Sequence, residues 1–188
     1  MRAFIGLEIP ENIRDLYTSI CKPMHKSSNL SFIRRDKMHI TLAFFPDLSM
    51  GKVQDIKAML EEINIERFNI NCENIGLFKR KGIPSTIFIK ISSETLLEYN
   101  NILHDKLNQI NIHYDNRKPF TPHITLARIK EVTSEGDFFK DYRHIAKNFT
   151  ESSFQPENVT LFSSNMINYK KEATIEFINN IKVIEEEI

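Results

Sequence analysis

The pentapeptide His-Ile-Thr-Leu-Ala occurs twice in this chain, at residues 39–43 and 123–127. Each copy lies in a β-branched, apolar stretch that is typical of a strand. Side chains in a strand alternate between its two faces, so in each copy the histidine and threonine share a polar face. The polar pairs are His39 with Thr41 and His123 with Thr125, and the apolar pairs are Ile40 with Leu42 and Ile124 with Leu126.

Two histidines and two threonines on facing strands have a clear chemical use. Imidazoles with pKa values near ~6.5 can hold opposite protonation states near neutral pH. One can take a proton from an attacking water while the other gives a proton to a leaving oxygen. The threonine hydroxyls can donate hydrogen bonds to phosphoryl oxygens. With no obvious metal ligands nearby, this set suits a phosphodiester already activated by ring strain, such as a 2′,3′-cyclic phosphate.

A lone His-x-Thr motif on a strand is more often structural than catalytic. Two copies, one in each half of the chain, instead indicate one site shared by the two halves. The other histidines, His25, His104, His113 and His144, have no partner motif. His104 lies in a helical pattern, and we expect it on the surface.

The surrounding sequence predicts elements that could position these motifs. Strand-like runs flank both copies, and helical patterns separate them. Residues 93–110 predict an amphipathic helix capped by Ser92 or Ser93. Its candidate core positions are Leu96, Leu97, Ile102, Leu103, Leu107 and Ile110. The pattern favours an α+β fold with largely antiparallel sheets.

Composition limits the remaining possibilities. The chain has 188 residues, with 25 basic and 25 acidic side chains, so net charge forecasts no strong nonspecific attraction to nucleic acid, although a local basic patch can exist. Cys21 and Cys72 belong to no Cys-x-x-Cys pair, and we expect reduced, buried thiols of a cytoplasmic protein. No apolar run approaches the ~20 residues of a membrane helix. The chain has no Gly-rich phosphate loop, which argues against a nucleoside triphosphate fold.

At these motifs the chain resembles the 2H phosphoesterase superfamily, which is named for two His-x-Thr motifs. It is most similar to the RNA 2′,3′-cyclic phosphodiesterases, also described as 2′-5′ RNA ligases. The similarity spans nearly the whole chain, including the segments FIRRDKMHITLAFFPDL, KPFTPHITLARIK and FQPENVTLFSS. The resemblance implies a single domain over residues 1–188, with two pseudo-twofold lobes of antiparallel sheet, helices outside and an active-site cleft between the lobes.

The resemblance also implies roles for the motif residues. His39 would be the proton donor, His123 the proton acceptor, and Thr41 and Thr125 would bind the phosphate. The residues alone do not say which histidine is the acid. The implied reaction is hydrolysis of an RNA 2′,3′-cyclic phosphate end to a 2′-phosphate without metal or cofactor, with reverse 2′-5′ joining in some members. We expect an RNA substrate, no membrane partner and a monomer.

Two further residues are expected to bind substrate by resemblance. Phe120, in the second motif segment, could stack a base, although core packing is the alternative. Arg128 follows His123 by five positions, so strict alternation places it on the opposite face. It could reach the phosphate only where the strand bends, bulges or ends; an edge salt bridge is the alternative.

The chain departs from the family pattern in two places. It has no tryptophan, and Phe32 stands where an aromatic residue, often Trp, precedes the first motif. A glycine-containing turn near the C-terminal strands is replaced by SSNMINYKKEA. Two other functions remain open: a 2H phosphodiesterase for another cyclic or nucleotide-derived substrate, and an RNA-end binding module without turnover.

Overall fold

The computed structural model describes residues 1–116, 119–165 and 168–178, with the side chain of His25 left out. Nine strands lie within these residues: β1 (Ala3–Glu8), β2 (Ser28–Phe32), β3 (His39–Phe45), β4 (Ile70–Arg80), β5 (Ile83–Ser92), β6 (His123–Val132), β7 (Ser152–Phe154), β8 (Asn158–Ser164) and β9 (Tyr169–Glu176). Four α-helices accompany them: α1 (Glu11–Tyr17), α2 (Lys52–Glu61), α3 (Glu94–Gln109) and α4 (Glu135–Lys147).

These strands join one antiparallel sheet, in the order β7-β4-β5-β6-β3-β1-β8-β9, and β2 pairs with β6 beside this path. The order can be read from the centre outward. β6 and β3 are the inner strands, and β5 and β1, β4 and β8, and β7 and β9 follow as matching pairs. The α+β prediction is confirmed, and the two halves meet within one continuous sheet.

Helix α3 illustrates how sequence sets an element and its buried face. The Ser93 hydroxyl accepts a hydrogen bond from the Leu96 N–H at 3.3 Å, which caps the helix as predicted. Its buried stripe is Leu96, Tyr99, Asn100, Leu103 and Leu107.

Two of the predicted core positions on α3 are wrong. Leu97 is 43% exposed and Ile102 is 42% exposed. Both sit on the flank of the stripe, because a residue one or two positions from a buried one is rotated well around the helix. Tyr99 and Asn100 occupy the buried positions between the outer leucines instead.

One cluster of buried apolar side chains runs beneath both halves of the sheet. Its largest fully buried members include Tyr17 and Phe45 from the first half and Tyr99 and Phe138 from the second. Fully burying one such side chain contributes about 1.5–3 kcal/mol. Cys21 and Cys72 are buried free thiols, as expected. Among the helices described, none is long and apolar enough to cross a membrane.

Candidate active site

The two motif strands meet at one paired position, Ile40 opposite Ile124. This is the same position in each copy of the motif, so the local pseudo-twofold axis passes through it. Counting outward in antiparallel register, His39 and His123 are diagonal neighbours on one face. In a regular sheet, side chains in that relation lie roughly 7–8 Å apart.

The predicted alternation holds through each motif and then breaks in the same way in both. Ile40, Leu42, Ile124 and Leu126 are buried on the apolar face. In β3, Ala43 pairs with Ile5 and Thr41 with Gly6, which leaves Leu42 unpaired. In β6, Ala127 pairs with Ile87 and Thr125 with Phe88, which leaves Leu126 unpaired. Each strand therefore carries a β-bulge directly after its His-x-Thr.

The bulge in β6 settles the face on which Arg128 lies. Leu126 and Ala127 are both buried, so alternation resets by one residue. Arg128 therefore shares the face of His123 and lines the same cavity. Phe44 is its equivalent in β3 and lines the cavity from the other half. The sequence analysis required a bend, bulge or strand end for Arg128 to reach this face, and the structure has a bulge there.

A cavity of about 220 Å³ brings both motifs together. His39, Thr41, His123, Thr125 and Arg128 all line it. Lys37, Tyr169, Phe4, Phe44, Ile33, Arg2 and Ser164 complete the wall. The four motif side chains, which are distant along the chain, thus face one shared space.

The same backbone contact orients both imidazoles. His39 Nδ1 lies 2.7 Å from the carbonyl oxygen of Lys37, and His123 Nδ1 lies 2.7 Å from that of Thr121. A carbonyl only accepts, so each Nδ1 carries a hydrogen and donates it. In the neutral rings Nε2 is then the basic atom. His39 Nε2 accepts a hydrogen bond from the Thr41 hydroxyl at 3.1 Å.

Aromatic rings surround both histidines. Phe4 stacks on His39 with ring centroids 4.4 Å apart, and Tyr169 meets the same imidazole edge-on at 5.5 Å. Phe78 and Phe88 meet His123 edge-on, at 5.0 Å and 5.4 Å. These walls remove water from one side of each imidazole.

This desolvation dominates the protonation of the two histidines. Burial lowers the pKa of His39 to about 4, against the opposing effect of the Lys37 carbonyl, and the charges of His123, Arg14 and Arg128 lower it further. Burial also lowers the pKa of His123. Both rings are therefore neutral at pH 7 in the ligand-free protein.

The electrostatics of the cavity mouth favour an anion. Three cationic side chains line it: Arg2, Lys37 and Arg128. The Arg2 guanidinium lies over the Phe44 ring at 5.3 Å, and Lys37 Nζ lies over the Tyr169 ring at 5.2 Å. No carboxylate lines this cavity among the residues that the structure describes. Within the same residues, no group of three or more His, Cys, Asp or Glu side chains could hold a metal ion.

The structure does not bring Phe120 into this cavity. Its half-buried ring packs against the hydrophobic core. Its substrate-binding role therefore stays a prediction, and its placement favours the core-packing alternative.

The prediction that His104 lies on the surface is wrong. His104 is half-buried on α3, and its Nε2 donates to the carbonyl of Leu42 at 3.0 Å. Asn100 donates to the same carbonyl at 3.0 Å. In the second motif the equivalent carbonyl, of Leu126, accepts instead from the Ile33 backbone N–H at 2.8 Å. The carbonyl of the unpaired residue in each bulge therefore has a hydrogen-bond donor: two α3 side chains for Leu42, and a backbone N–H for Leu126.

Sequence reasoning missed several residues of the site. Tyr169 lies within the segment that departs from the family pattern, and nothing in its spacing indicated a cavity. Phe44 could have been found by applying to the first motif the same count of five that singled out Arg128. Lys37 lies two residues before His39, and its carbonyl, not its charge, orients that imidazole.

Comparison with known proteins places this architecture in a family. Residues 4–177 match the family model described as the AKAP7 2'5' RNA ligase-like domain. That match covers most of the chain, and the chain belongs to this family, as its motifs predicted.

Individual relatives are similar to this chain at modest sequence identity. The chain is 28% identical over 144 residues to an RNA 2',3'-cyclic phosphodiesterase of Archaeoglobus fulgidus, covering 76% of this chain and 81% of the relative. It is 23% identical over 166 residues to an RNA 2',3'-cyclic phosphodiesterase of Methanocaldococcus jannaschii, covering 88% and 92%.

Solved structures share the fold. The protein TT0787 of Thermus thermophilus superposes with a TM-score of 0.78 at 19% identity, covering 96% of this chain and all of that one. E. coli LigT complexed with 3'-AMP superposes with a TM-score of 0.72 at 19% identity, covering 94% and 97%. The similarity confirms the predicted α+β fold.

Proposed function

We propose that this protein hydrolyses RNA 2′,3′-cyclic phosphate ends to 2′-phosphates without a metal, using His39 and His123 as a general acid–base pair. One observation carries the proposal. The two imidazoles line one cavity, and each has its Nδ1 tied to backbone, so the Nε2 atom of each ring, not Nδ1, is the one that can exchange a proton with substrate. The names of the relatives in Archaeoglobus fulgidus and Methanocaldococcus jannaschii support this substrate class.

The proposed step balances as an in-line displacement. His123 Nε2 takes a proton from water as its oxygen forms a new bond to phosphorus. The bond from phosphorus to the 3′ oxygen breaks, and His39 gives that oxygen a proton. The 2′-phosphate remains, and the two imidazoles exchange protons with solvent before the next turnover. The assignment of acid and base rests on the family resemblance. Attack by an RNA 5′-hydroxyl in place of water, with the same bond to the 3′ oxygen breaking, gives 2′-5′ joining.

The remaining motif groups bind the phosphate in this proposal. The Thr41 and Thr125 hydroxyls donate to its non-bridging oxygens, and Arg128 supplies a positive charge. An anionic phosphate favours the charged form of a nearby imidazole. Substrate binding therefore raises the depressed pKa of His39 and supplies the acid that the ligand-free site lacks at pH 7.

Glutamine variants test the catalytic pair. We expect His39→Gln and His123→Gln each to lower kcat on an oligonucleotide cyclic phosphate by about 10²- to 10⁴-fold, the range of general acid–base catalysis. His113→Gln, at an exposed position outside the cavity, is the matched control. Turnover near the wild-type rate in either motif variant would refute the pair.

A substrate with a better leaving group separates acid from base. A p-nitrophenyl phosphodiester needs no proton on its leaving oxygen. On this substrate His39→Gln should regain most of its lost rate, while His123→Gln should stay impaired. The opposite pattern would exchange the two roles.

The product and the effect of a chelator distinguish the alternatives. We expect activity on RNA cyclic phosphate ends to survive EDTA and to yield a 2′-phosphate. Turnover only of other cyclic or nucleotide-derived phosphodiesters would indicate a different 2H substrate. Binding of RNA ends without turnover would indicate a binding module.

A further inference from the structure

A second concavity opens directly from the mouth of the catalytic cavity. It has a volume of about 460 Å³ and shares with the cavity Arg2, Lys37, Arg128 and Tyr169. Two of its lining residues, Phe32 and Arg34, lie outside the catalytic cavity. We call this concavity the flanking groove.

The charge of the flanking groove differs from that of the chain as a whole. Acidic and basic residues cancel over the full sequence, yet four cationic side chains line the groove: Arg2, Arg34, Lys37 and Arg128. No carboxylate lines it among the residues that the structure describes. A basic groove on a chain with no net charge indicates that a polyanion is recognised locally at the groove and is not attracted to the whole surface.

Aromatic side chains accompany these charges. Phe32 ends β2 and is half-buried, and Tyr169 stands where the groove joins the cavity. Phosphate-binding cations beside aromatic rings are the combination by which proteins bind single-stranded nucleic acid, because each unstacked base offers a face to a ring.

We infer that the flanking groove binds the phosphodiester backbone of single-stranded RNA immediately 5′ of the cyclic phosphate, which makes the protein selective for oligonucleotide ends over mononucleotides. This inference rests on the proposed function and adds the substrate class. A cyclic phosphate lies at the 3′ end of its strand, so all flanking nucleotides lie on its 5′ side. Another concavity adjoins the cavity beside His39, but Glu8 and Asp36 line it, so the flanking groove, where no described residue supplies a carboxylate, suits the phosphates of those nucleotides better.

Arg34 allows a test in both directions. It belongs to the groove but not to the catalytic cavity, and Asp36 binds its guanidinium at 3.0 Å and 2.7 Å. Both side chains are more than half exposed. Arg34→Gln removes the cation, whereas Asp36→Asn removes its competitor and leaves Arg34 to a phosphate. Arg80→Gln, at an exposed position outside both concavities, changes net charge equally and is the matched control.

The experiment compares kcat/KM for the mononucleotide 2′,3′-cyclic CMP with kcat/KM for a short oligonucleotide ending in a 2′,3′-cyclic phosphate. We expect the wild type to prefer the oligonucleotide, and this preference to weaken with salt as counterion release requires. Arg34→Gln should lower the preference about two- to fivefold, the size of one exposed charge contact. Asp36→Asn should raise it, Arg80→Gln should leave it unchanged, and cyclic CMP turnover should persist throughout.

Failure of the inference and failure of the proposed function give different results. Two results would refute RNA binding by the flanking groove and leave the proposed function standing. One is turnover of 2′,3′-cyclic CMP with no preference for the oligonucleotide, and the other is an equal effect of Arg34→Gln and Arg80→Gln. If neither substrate turns over, the proposed function fails. Fluorescence anisotropy with a labelled oligonucleotide ending in a 2′-phosphate then tests RNA binding by the flanking groove. Salt-sensitive binding that Arg34→Gln weakens would support it, and binding that Arg34→Gln leaves unchanged would refute it.

Discussion

Each imidazole of the site is oriented by the backbone carbonyl two residues before it, not by a carboxylate. A carboxylate partner would raise the pKa of a histidine, whereas a neutral carbonyl opposes desolvation only weakly. Burial therefore prevails, and the pKa of His39 falls to about 4. The repeated local contact thus fixes the tautomer, and burial fixes the resting protonation state.

The depressed pKa of His39 predicts a loss of stability in acid. An unfolded chain has an ordinary histidine pKa near ~6.5 and takes up more protons than the folded protein between that value and about 4. The free energy of unfolding should therefore fall as the pH decreases through this window. The contribution of His39 is on the order of 2–3 kcal/mol.

Urea unfolding near pH 7 and pH 4.5 measures this effect. His39→Asn removes the titrating group, so the variant should lose less stability between the two pH values than the wild type. His113→Asn, at an exposed position, should lose as much as the wild type. An acid loss of the same size in His39→Asn and wild type would contradict the depressed pKa.

At the scale of elements, the site depends on two bulges that follow identical pentapeptides. The repeat predicted the paired strands, their faces and the shared cavity, because period-two alternation is a local property of sequence. It could not predict the bulges, since an unpaired residue such as Leu42 is defined by its neighbours on another strand. Gly6 is one such neighbour: a Cβ there would lie 2.7 Å from the Ile40 carbonyl.

The contact of α3 with the first bulge is also long-range, so the sequence could not predict it. The spacing of Asn100 and His104 reads as an ordinary helix, and nothing local shows that both reach a carbonyl on β3. Tyr169 enters the site for a similar reason, because β9 is the outer partner of β8 and reaches the cavity only through the sheet order. Local patterns therefore indicated the histidine pair, and sheet assembly determined its surroundings.

The two donors on the Leu42 carbonyl predict a non-additive effect on stability. Asn100→Leu or His104→Leu alone leaves one donor, so each should cost little. The double variant leaves the carbonyl with neither side-chain donor, at an additional cost of about 1–3 kcal/mol. Urea unfolding of the four proteins measures the coupling.

The neighbouring exposed residue supplies the control for that cycle. Asn101→Leu makes the same chemical change on the solvent side of α3 and should couple to His104→Leu by less than about 0.5 kcal/mol. Additive effects in the Asn100 and His104 pair would show that the two side chains do not share the support of the bulge.

At the scale of the molecule, the two halves share one sheet and one core. β3 and β6 come from different halves and pair at the centre, and the buried cluster is continuous across them. Neither half could open without exposing the apolar face of the other. The single domain over residues 1–188 stays a prediction, and this sharing supports it.

This sharing predicts one cooperative unfolding transition. Core variants in opposite halves, Ile5→Ala in β1 and Leu103→Ala in α3, should each shift the whole transition and leave it single. Circular dichroism and hydrogen exchange of amides in β1 and β5 provide the measurement. Two separable transitions, each moved by only one of the variants, would mean that the halves are independent domains.

The pseudo-twofold relation is broken chemically where the two strands leave their bulges: Arg128 occupies the position that Phe44 holds in the other half. Under the proposed function, a phosphorus atom seated between the histidines would have one non-bridging oxygen towards a guanidinium and the other towards a phenyl ring. Replacing either oxygen by sulfur makes a chiral phosphorothioate, and the two diastereomers of such a cyclic substrate should be cleaved at unequal rates. Arg128→Phe should bring those rates closer together, since it gives this pair of positions the same side chain and removes the guanidinium that favours one of the two oxygens.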